Sequence, residues 1–456
     1  MLVRIFPHRF KGDVTIPASK SHTIRQLLIA SLANGESVIK TPLNSLDTQS
    51  CIAACKVFGA EIDEHYSGSE LSGLTVRGNN GFKNFVSSSS SLNIDVGNSG
   101  TTLYLALAIA GLQSAWIGFT GDDQIKKRSA APLLDALTGL GIKCDSNNGC
   151  APIKIKGGWK GGKVTLSCPT SQYLSALLIA APLAPAGTVT EIEVPFLNEK
   201  PYIDMTLSYL NAHNIPYEAV MIPPKAHDSR IDTWSGSFKI PGGSSWKAFS
   251  RTVPADFSSA AFPAAAAAIS GEESFLHGLN PMDTQGDKYF LEILEKMGCA
   301  VQWRNVKQDE YVVCISRKGR LNGGTFDLNE TPDLLPAAAV VAAYAEGDTA
   351  LVNVAHARIK ETDRIAVMAH ELAKLGICCT EMPDGIVIHG KGGLFTNNLP
   401  MNDSVPKIEG HGDHRIVMAF AVAALNSPVP IDITTAESAS VTYPDFFKLT
   451  GKPHFF

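Results

Sequence analysis

The sequence contains little that would suit a metalloprotein, a membrane protein or a nucleic-acid-binding protein. Its nine cysteines form no Cys-x-x-Cys or Cys/His pattern, so core thiols are favoured over metal ligands. The longest apolar stretches, at 173–186 and 260–269, are interrupted by proline or consist mostly of alanine, and both are too short to cross a membrane. A net charge of -5 argues against binding to nucleic acid or to an anionic membrane surface.

The N-terminus also lacks a long apolar segment, since residues 1–10 predict a strand, and the expected location is therefore the cytoplasm. Charged residues make up only 18% of the chain and apolar residues 45%, which is typical of globular proteins. A length of 456 residues is enough for two large domains. Because cations are few, those that cluster are expected to act locally, on small anionic ligands.

Two cations mark the start of a predicted helix. An apolar stripe at helical spacing runs from 365 to 375 and ends at Gly376, which places Lys360 and Arg364 in or just before the first turn, on one face. Cations at this end of a helix oppose the macrodipole and repel each other, unless an anion lies against them. The alternative is a solvated helix start whose charges are balanced by Glu361 and Asp363.

Four further segments have the same character, because each precedes an apolar run and offers donors to an anion. Ser19 is predicted to cap the first of these helices, with Lys20 at its start and Arg25 about one turn in. One such segment would usually be a simple helix cap, but five of them in one chain indicate anion-binding helix N-termini. The four segments are 19–25, 97–102, 169–172 and 413–415.

A long-period repeat predicts the organisation of the chain. Helical segments that end in Leu-Gly, Met-Gly or a close equivalent recur at intervals of 73 to 84 residues, and the first five run into a strand. We predict six copies of one α/β unit in two similar domains, formed by 1–19 with 240–456 and by 20–239. Loops are predicted at 87–91 and 223–230. The helical segments close at Gly59, Gly141, about Asn214, Gly298, Gly376 and Gly451.

The order and spacing of the conspicuous segments resemble the 5-enolpyruvylshikimate-3-phosphate synthases, a family of enolpyruvyl transferases. The resemblance implies two domains of three βαβαββ units each, of the inside-out α/β barrel type, with the active site in the cleft between them. It implies transfer of the enolpyruvyl group of phosphoenolpyruvate to the 5-hydroxyl of shikimate 3-phosphate, through a tetrahedral intermediate, without a metal or organic cofactor. The segments are 19–25, 97–102, 127–128, 170–172, 200–204, 256–259, 285–287, 332–333, 360–364, 413–415 and 443–445.

The resemblance also implies the residues of the site. Asp333 resembles the family's base for the hydroxyl proton and Glu361 the residue that handles the methyl proton, with assistance from Lys20. The implied contacts of shikimate 3-phosphate are Lys20, Ser21, Arg25, Thr170, Ser171, Gln172, Tyr202, Asp333, His356 and Lys360. Those of phosphoenolpyruvate are Lys20, Asn98, Gly100, Arg128, Gln172, Arg364 and Arg415. The implied partners are these two substrates alone, and the chain is expected to be a monomer.

Five positions depart from the family pattern. Tyr104 and Leu105 replace an Arg-Pro pair after the glycine loop, His356 replaces an asparagine, Glu199 replaces a serine of the phosphate site, and Val441 replaces a lysine. These changes bear on affinity more than on the type of reaction.

Three alternatives remain at this point. Asp333, taken without the resemblance, could be a simple helix N-cap. A related transferase that acts on a UDP-amino sugar would carry a cysteine after Pro-Gly-Gly, but Ser244 follows that tripeptide here. A noncatalytic anion-binding relative would have no need of Asp333, Glu361 and Lys20 together.

Overall fold

Two stretches that are far apart in sequence form one unit of this protein. In the computed structural model, which describes residues 1–82, 92–224, 233–307, 310–394 and 405–456, residues 1–19 and 254–456 form the split unit. Residues 20–253 form the continuous unit. The loop predicted at 87–91 lies outside the described residues, as does most of the loop predicted at 223–230.

The helices and strands alternate as the repeat predicts. The helices are α1 (Lys20–Leu32), α2 (Leu46–Val57), α3 (Gly100–Ala110), α4 (Ala131–Gly139), α5 (Gln172–Ala180), α6 (Lys200–Ala212), α7 (Phe257–Ser270), α8 (Tyr289–Lys296), α9 (Leu335–Ala343), α10 (Arg364–Lys374) and α11 (His414–Leu425). The strands are β1 (Leu2–Ile5), β2 (Gly12–Thr15), β3 (Glu36–Lys40), β4 (Glu61–Ser67), β5 (Glu70–Arg77), β6 (Leu92–Asp95), β7 (Trp116–Thr120), β8 (Lys143–Asn147), β9 (Cys150–Lys156), β10 (Gly162–Thr165), β11 (Val189–Leu197), β12 (Glu218–Ile222), β13 (Trp234–Pro241), β14 (Ser250–Thr252), β15 (Ser274–His277), β16 (Ala300–Lys307), β17 (Glu310–Ser316), β18 (Leu321–Asn322), β19 (Thr325–Asp327), β20 (Ala345–Val352), β21 (Cys378–Met382), β22 (Gly385–Lys391), β23 (Lys407–Ile408), β24 (Ile431–Thr434) and β25 (His454–Phe455).

Every sheet in the described part of the chain has the same arrangement of strands. The first two strands in the order pair in parallel, and the next two neighbouring pairs are antiparallel. In the continuous unit the orders are β14-β3-β5-β4, β6-β7-β9-β8 and β10-β11-β13-β12. In the split unit they are β2-β15-β17-β16, β18-β20-β22-β21 with β19 also paired to β20, and β23-β24-β1-β25. The prediction of an α/β fold built from six copies of one βαβαββ unit is confirmed.

The chain passes between the two units at 19/20 and at 253/254, and the second point differs from the expected position near residue 240. Residue 240 lies inside β13, which pairs with β11 of the continuous unit. The strand β14 follows later in the chain and completes the first sheet of the same unit by pairing with β3. The Pro241-Gly242-Gly243 segment is therefore a turn within that unit, where the Gly242 N–H donates to Thr188 O (3.0 Å).

The first helix of each repeat is buried almost throughout, whereas the second buries one face. The helices α1, α3 and α5 form the centre of the continuous unit, and α7, α9 and α11 form that of the split unit. Burial on most sides explains the short apolar runs in the sequence, although α1 also buries polar residues such as Arg25 and Gln26. No helix among the described residues is long and apolar enough to span a membrane.

In five of the six repeats, an α-helix ends close to the position that the sequence predicts. The second helices α2, α4, α6, α8 and α10 end within a few residues of the predicted positions, and each is followed by a strand. The sixth copy ends in a short 3-10 helix, Phe446–Thr450, before β25. Strands β1 and β25, from the two ends of the chain, complete the last sheet.

Candidate active site

One guanidinium group connects three carboxylates in the split unit. Arg364 is 1% exposed, and its Nε and Nη2 donate to Asp413 Oδ2 (2.8 Å) and Oδ1 (3.2 Å). Its Nη1 donates to Asp333 Oδ1 (2.8 Å) and its Nη2 to Glu361 Oε2 (2.6 Å). Arg415 Nη2 donates to the other oxygen of Asp333, at 2.8 Å. Each carboxylate oxygen of Asp333 is therefore held by a different arginine.

These carboxylates reach Arg364 from the beginnings of three helices. Asp413 caps α11, where its Oδ1 accepts from the backbone N–H two residues on (2.9 Å). Asp333 lies in the 3-10 helix Pro332–Leu334, directly before α9. Glu361 precedes α10, whose first residue is Arg364. Because helix N-termini carry partial positive charge, they favour carboxylates at these positions.

Asp333 is not a simple helix N-cap. The cap position of α9 is Leu334, and that of the preceding 3-10 helix is Thr331, with no side-chain cap at either. The hydrogen bonds of the Asp333 carboxylate go to Arg364 and Arg415 instead. The N-cap alternative from the sequence is therefore wrong.

The arginines determine the protonation of these acids. Burial alone would raise the pKa of Asp333, but the positive charges of Arg415, Lys360 and Arg364 outweigh it and lower that pKa. The pKa of Asp413 is also lowered, because the charge of Arg364 outweighs the effect of burial. Conversely, burial would lower the pKa of Arg364, and the carboxylates raise it. At neutral pH Asp333, Asp413 and Arg364 are therefore all charged.

Lys360 and Arg364 do not share a helix face as the spacing predicts. Arg364 begins α10, whose cap is Asp363 through a bond from Ala366 N (3.0 Å), whereas Lys360 has a non-helical backbone with φ -83 and ψ -146. The spacing misled because the helix begins four residues after Lys360. Both cations nevertheless act on Asp333, since both lower its pKa. His356 is buried in the 3-10 helix Ala355–Ile359 that precedes Lys360.

Asp287 is a buried acid beside this cluster, and no role was predicted for it. It is 2% exposed, Ser258 Oγ donates to its Oδ2, and its Oδ1 has no hydrogen-bond partner among the described residues. Burial, followed by the negative charge of Asp333, raises the pKa of Asp287 to about 7. Its segment, 285–287, belongs to the resemblance, but the partner Ser258 is 29 positions away in sequence.

Asp287→Asn is expected to stabilise the protein in a pH-dependent manner. Since the folded pKa of Asp287 is raised from 3.8 to about 7, the folded state keeps a proton that the unfolded state loses, and stability falls as pH rises through that window. The asparagine variant escapes this cost. We expect a gain of roughly 2 to 4 kcal/mol in the free energy of unfolding at pH 8 and almost none at about pH 4.

Urea unfolding at both pH values measures this difference. Asp445→Asn is a suitable control, because Asp445 is 58% exposed and pairs with Lys448 at the surface. A variant at 287 that loses more stability at pH 8 than at pH 4 would contradict the assignment of a raised pKa.

In the continuous unit, Arg25 is the buried cation. It is 1% exposed, and its Nε donates to Thr206 Oγ1 (3.0 Å). Its remaining bonds go to Ser21 O (3.2 Å), Ser175 Oγ (3.2 Å) and Tyr202 O (3.3 Å), so all four acceptors are neutral oxygens. Burial lowers the pKa of Arg25 to about 10. These bonds tie α1 to α5 and α6, and they bring Ser21, Arg25 and Tyr202 together.

Thr170 and Ser171, at the start of α5, direct three donors at one oxygen. Thr170 Oγ1 (3.1 Å), Ser171 N (3.0 Å) and Ser171 Oγ (2.8 Å) all donate to Glu199 Oε2. Gln172, the first residue of α5, has a buried amide oxygen without a hydrogen-bond partner in the described part of the chain. The predicted oxyanion donors are therefore arranged together and occupied by a carboxylate.

Lys20 and Asn98 are held by acids of their own unit. Lys20 Nζ lies 3.2 Å from Asp47 Oδ2, and Asp47 is buried in the first turn of α2. Asn98 Nδ2 donates to Asp122 Oδ2 (2.5 Å) and to Gln124 Oε1 (2.8 Å). The predicted cap at Ser19 is wrong, because the Ser19 hydroxyl is buried and makes no hydrogen bond among the described residues.

Gly100 allows Arg128 to lie against the start of α3. A Cβ atom at Gly100 would lie 2.6 Å from Arg128 Nη1 and 3.8 Å from Tyr104 Cε2, so the guanidinium occupies the space of a side chain. Tyr104, which replaces the family's arginine, donates from Oη to Ser129 O (3.2 Å) and packs edge-on against Tyr173 with ring centroids 5.0 Å apart. A side chain at this position would displace the Arg128 guanidinium, and Tyr104 fixes the loop that follows Arg128.

Each unit thus brings together its own part of the predicted site. The split unit joins Asp333, Glu361, Lys360, Arg364 and Arg415, whereas the remaining predicted residues, apart from His356, lie in the continuous unit. Asp413, Asp287 and the contact of Glu199 are additions that only the structure supplies. In the part of the chain that the structure describes, no group of three or more His, Cys, Asp or Glu side chains is placed to hold a metal ion.

Comparisons with known proteins agree with this geometry. A family model described as EPSP synthase (3-phosphoshikimate 1-carboxyvinyltransferase) matches residues 6–449. The 3-phosphoshikimate 1-carboxyvinyltransferase of Acetivibrio thermocellus is 43% identical over 99% of this chain and 98% of that protein. The protein of the same name from Ruminiclostridium cellulolyticum is 41% identical, over 98% of this chain and 97% of that protein.

A solved structure is similar over the whole length. The EPSP synthase from Acinetobacter baumannii superimposes with a TM-score of 0.77 at 28% identity, and the match covers 100% of both chains. The sheets and helices described above therefore correspond to a fold that is known from experiment.

Proposed function

Because the chain belongs to the EPSP synthase family, we propose that its two clusters of charged and polar residues are the substrate-binding and catalytic groups of this transferase. The enzyme transfers the enolpyruvyl group of phosphoenolpyruvate to shikimate 3-phosphate, in the biosynthesis of aromatic amino acids. The observation that supports the assignment of residues is the Asp333 carboxylate, held by Arg364 and Arg415.

The cations are proposed to bind phosphoenolpyruvate. Its phosphate and carboxylate suit planar guanidinium groups, which bind such oxygens with two parallel hydrogen bonds. Four hydrogen bonds from Arg364 already go to carboxylates, and a guanidinium has five N–H groups. Arg364 therefore offers one N–H to a ligand, and we assign most of the binding to Arg415, Arg128 and Lys20, with Asn98, Gly100 and Gln172 around them.

Shikimate 3-phosphate is proposed to bind chiefly to the continuous unit. Thr170 and Ser171 offer two hydroxyls and a backbone N–H to its phosphate, and Arg25, with Ser21, offers a charge to its carboxylate. Gln172 and Tyr202 are assigned to the ring. Lys360 and His356, from the split unit, complete the proposed contacts.

Asp333 is proposed as the base that removes the proton of the 5-hydroxyl. In the free protein it is ionised but weakly basic, because Arg415, Lys360 and Arg364 lower its pKa. An anionic substrate that binds Arg415 and Lys360 would offset two of these charges and raise the pKa of Asp333 toward a useful value. Substrate binding would thus strengthen the base only when the reaction can proceed.

Glu361 is proposed to deliver the proton to the methylene carbon of phosphoenolpyruvate, with Lys20 assisting. Glu361 is held by Arg364 at 2.6 Å, and Lys20 by Asp47 at 3.2 Å, so each has a fixed partner within its own unit. In the addition, Glu361 protonates the methylene carbon, Asp333 takes the proton of the 5-hydroxyl, and the hydroxyl oxygen bonds to the central carbon to give a tetrahedral intermediate. In the elimination, Glu361 takes a proton back from the methyl group as the C–O bond to phosphate breaks, which gives the enol ether and phosphate.

We also propose that the enzyme acts as a monomer in the cytoplasm. All nine cysteines are free thiols, which suits a reducing compartment. Gel filtration at working concentration tests the monomer, and an elution volume of a dimer would contradict it.

A phosphate-release assay tests the proposed function. The purified protein is expected to release phosphate only when phosphoenolpyruvate and shikimate 3-phosphate are both present, and equally well after treatment with a chelator. A UDP-amino sugar in place of shikimate 3-phosphate serves as the control substrate. Turnover of that sugar would contradict the substrate assignment, and tight binding of both substrates without phosphate release would indicate a noncatalytic relative.

A further inference from the structure

An acid occupies the donors that are proposed to bind the phosphate of shikimate 3-phosphate. Glu199 is 2% exposed, and its Oε2 alone accepts from Thr170 Oγ1, Ser171 N and Ser171 Oγ, at 2.8 to 3.1 Å. These hydroxyl and N–H groups, at the start of α5, are the kind of donors that bind a phosphate oxygen. The carboxylate oxygen therefore takes the position that an oxyanion of the substrate would need.

The backbone holds Glu199 in this place. Its φ of 59 and ψ of 41 lie in the left-handed region, which is unfavourable for a residue with a side chain. Neighbouring bonds fix the segment to the connection between β10 and α5, because Asn198 N donates to Cys168 O (3.1 Å) and Asn198 Nδ2 to Pro169 O (3.3 Å). The strained residue, directly before α6, is thus anchored on the side of the phosphate donors.

Charge makes the two anions mutually exclusive at these donors. A phosphate monoester carries about two negative charges at neutral pH, and a like charge at contact distance in a buried site strongly opposes its binding. The phosphate of the substrate must therefore replace Glu199 at the hydroxyl groups of Thr170 and Ser171.

We propose that Glu199 is a specificity-determining residue, whose carboxylate acts as an internal substitute for the substrate phosphate and must leave Thr170 and Ser171 before shikimate 3-phosphate binds. The proposal rests on the function proposed above. In the free enzyme Glu199 keeps the donors arranged and satisfied. Its displacement lowers the affinity for the phosphorylated substrate and leaves the affinity for unphosphorylated shikimate unaffected.

The test compares Glu199→Gln and Glu199→Ser with the unmodified enzyme. The glutamine keeps the size of the side chain and removes its charge. The serine removes the charge and also shortens the side chain, so that no side-chain oxygen competes for the donors of Thr170 and Ser171. Calorimetric titration is expected to show that shikimate 3-phosphate binds about tenfold or more tightly to the serine variant and less markedly so to the glutamine variant. Shikimate is expected to bind all three proteins equally, whereas a purely structural role of Glu199 would weaken both ligands.

Glu191→Gln is the matched control, because Glu191 is an exposed glutamate on β11 of the same unit. Thermal unfolding checks that each variant is folded. If the serine variant does not fold, the affinity of the glutamine variant for shikimate 3-phosphate tests the proposal. Unchanged or weaker binding of shikimate 3-phosphate by the folded variants would overturn the proposal. That result would leave the proposed function intact if the unmodified enzyme still turns over, whereas failure of the unmodified enzyme to bind shikimate 3-phosphate would overturn the function itself.

Discussion

Asp333→Asn is expected to lower kcat by about 10²-fold or more, while the dissociation constant of shikimate 3-phosphate changes by less than about tenfold. An amide cannot accept the proton of the 5-hydroxyl, so the addition step loses its base. The amide oxygen can still accept one hydrogen bond from Arg364 or Arg415, which keeps the shape of the cluster. The loss is therefore expected in turnover more than in binding.

Steady-state kinetics and a binding titration on the same preparation separate these effects. The matched control is Asp348→Asn, because Asp348 is 67% exposed and pairs with His389 at the surface. Its kinetics are expected to match those of the unmodified enzyme. If Asp333→Asn weakens substrate binding as much as it lowers kcat, Asp333 holds the substrate and is not the base.

Arg364→Ala is expected to destabilise the split unit by about 3 to 5 kcal/mol and to weaken phosphoenolpyruvate as well. The change leaves Asp413 fully buried, and Asp333 and Glu361 partly buried, without the cation that they share. An unpaired buried charge costs far more than a surface ion pair contributes. The structure thus gives Arg364 a structural role in addition to the binding role that the resemblance implies.

Urea unfolding followed by kinetics checks both effects, with Arg358→Ala as the control. Arg358 bonds to Asp363 and Glu381 at a more exposed site, with 24% of its side chain accessible, so a loss of about 1 kcal/mol or less is expected. The folded pKa values of Asp333 and Asp413 are lowered, so their stabilisation is present above the unfolded pKa and lost as pH falls below about 4. The difference between Arg364→Ala and the unmodified enzyme is therefore expected to shrink in strong acid. Equal losses from both variants would contradict the central role of Arg364.

Local patterns in the sequence anticipated much of the site. The start of α10, the glycine loop before α3 and the segment 413–415 were recognisable, because helix caps and apolar periodicity are properties of neighbouring residues. The roles of Asp333 and Glu361 came only with the family resemblance, since a carboxylate before an apolar run has many possible explanations.

The predictions that failed concern features that depend on contacts between residues far apart in the sequence. Ser19 looks like a cap, but its hydroxyl makes no bond among the described residues, and Lys360 lies outside the helix that its spacing suggested. The second boundary shifted to 253/254, because β14 completes a sheet whose other strands lie early in the chain. Strand pairing between remote segments has no local signal in a sequence.

The sequence by itself determined the α/β class, the six repeats and the family. The periodicity of apolar residues, the glycines at helix ends and the order of the motifs can all be recognised from residues that are close together in the chain. Only the tertiary structure decided that Arg364 is shared by three carboxylates, that Asp287 is a buried acid with a raised pKa, and that Glu199 occupies the donors of Thr170 and Ser171. Each of these depends on burial and on partners brought from other segments, such as Glu199 from 28 positions beyond Ser171. Charge and hydrogen bonding act through space, so their outcome follows from the fold and not from the order of residues.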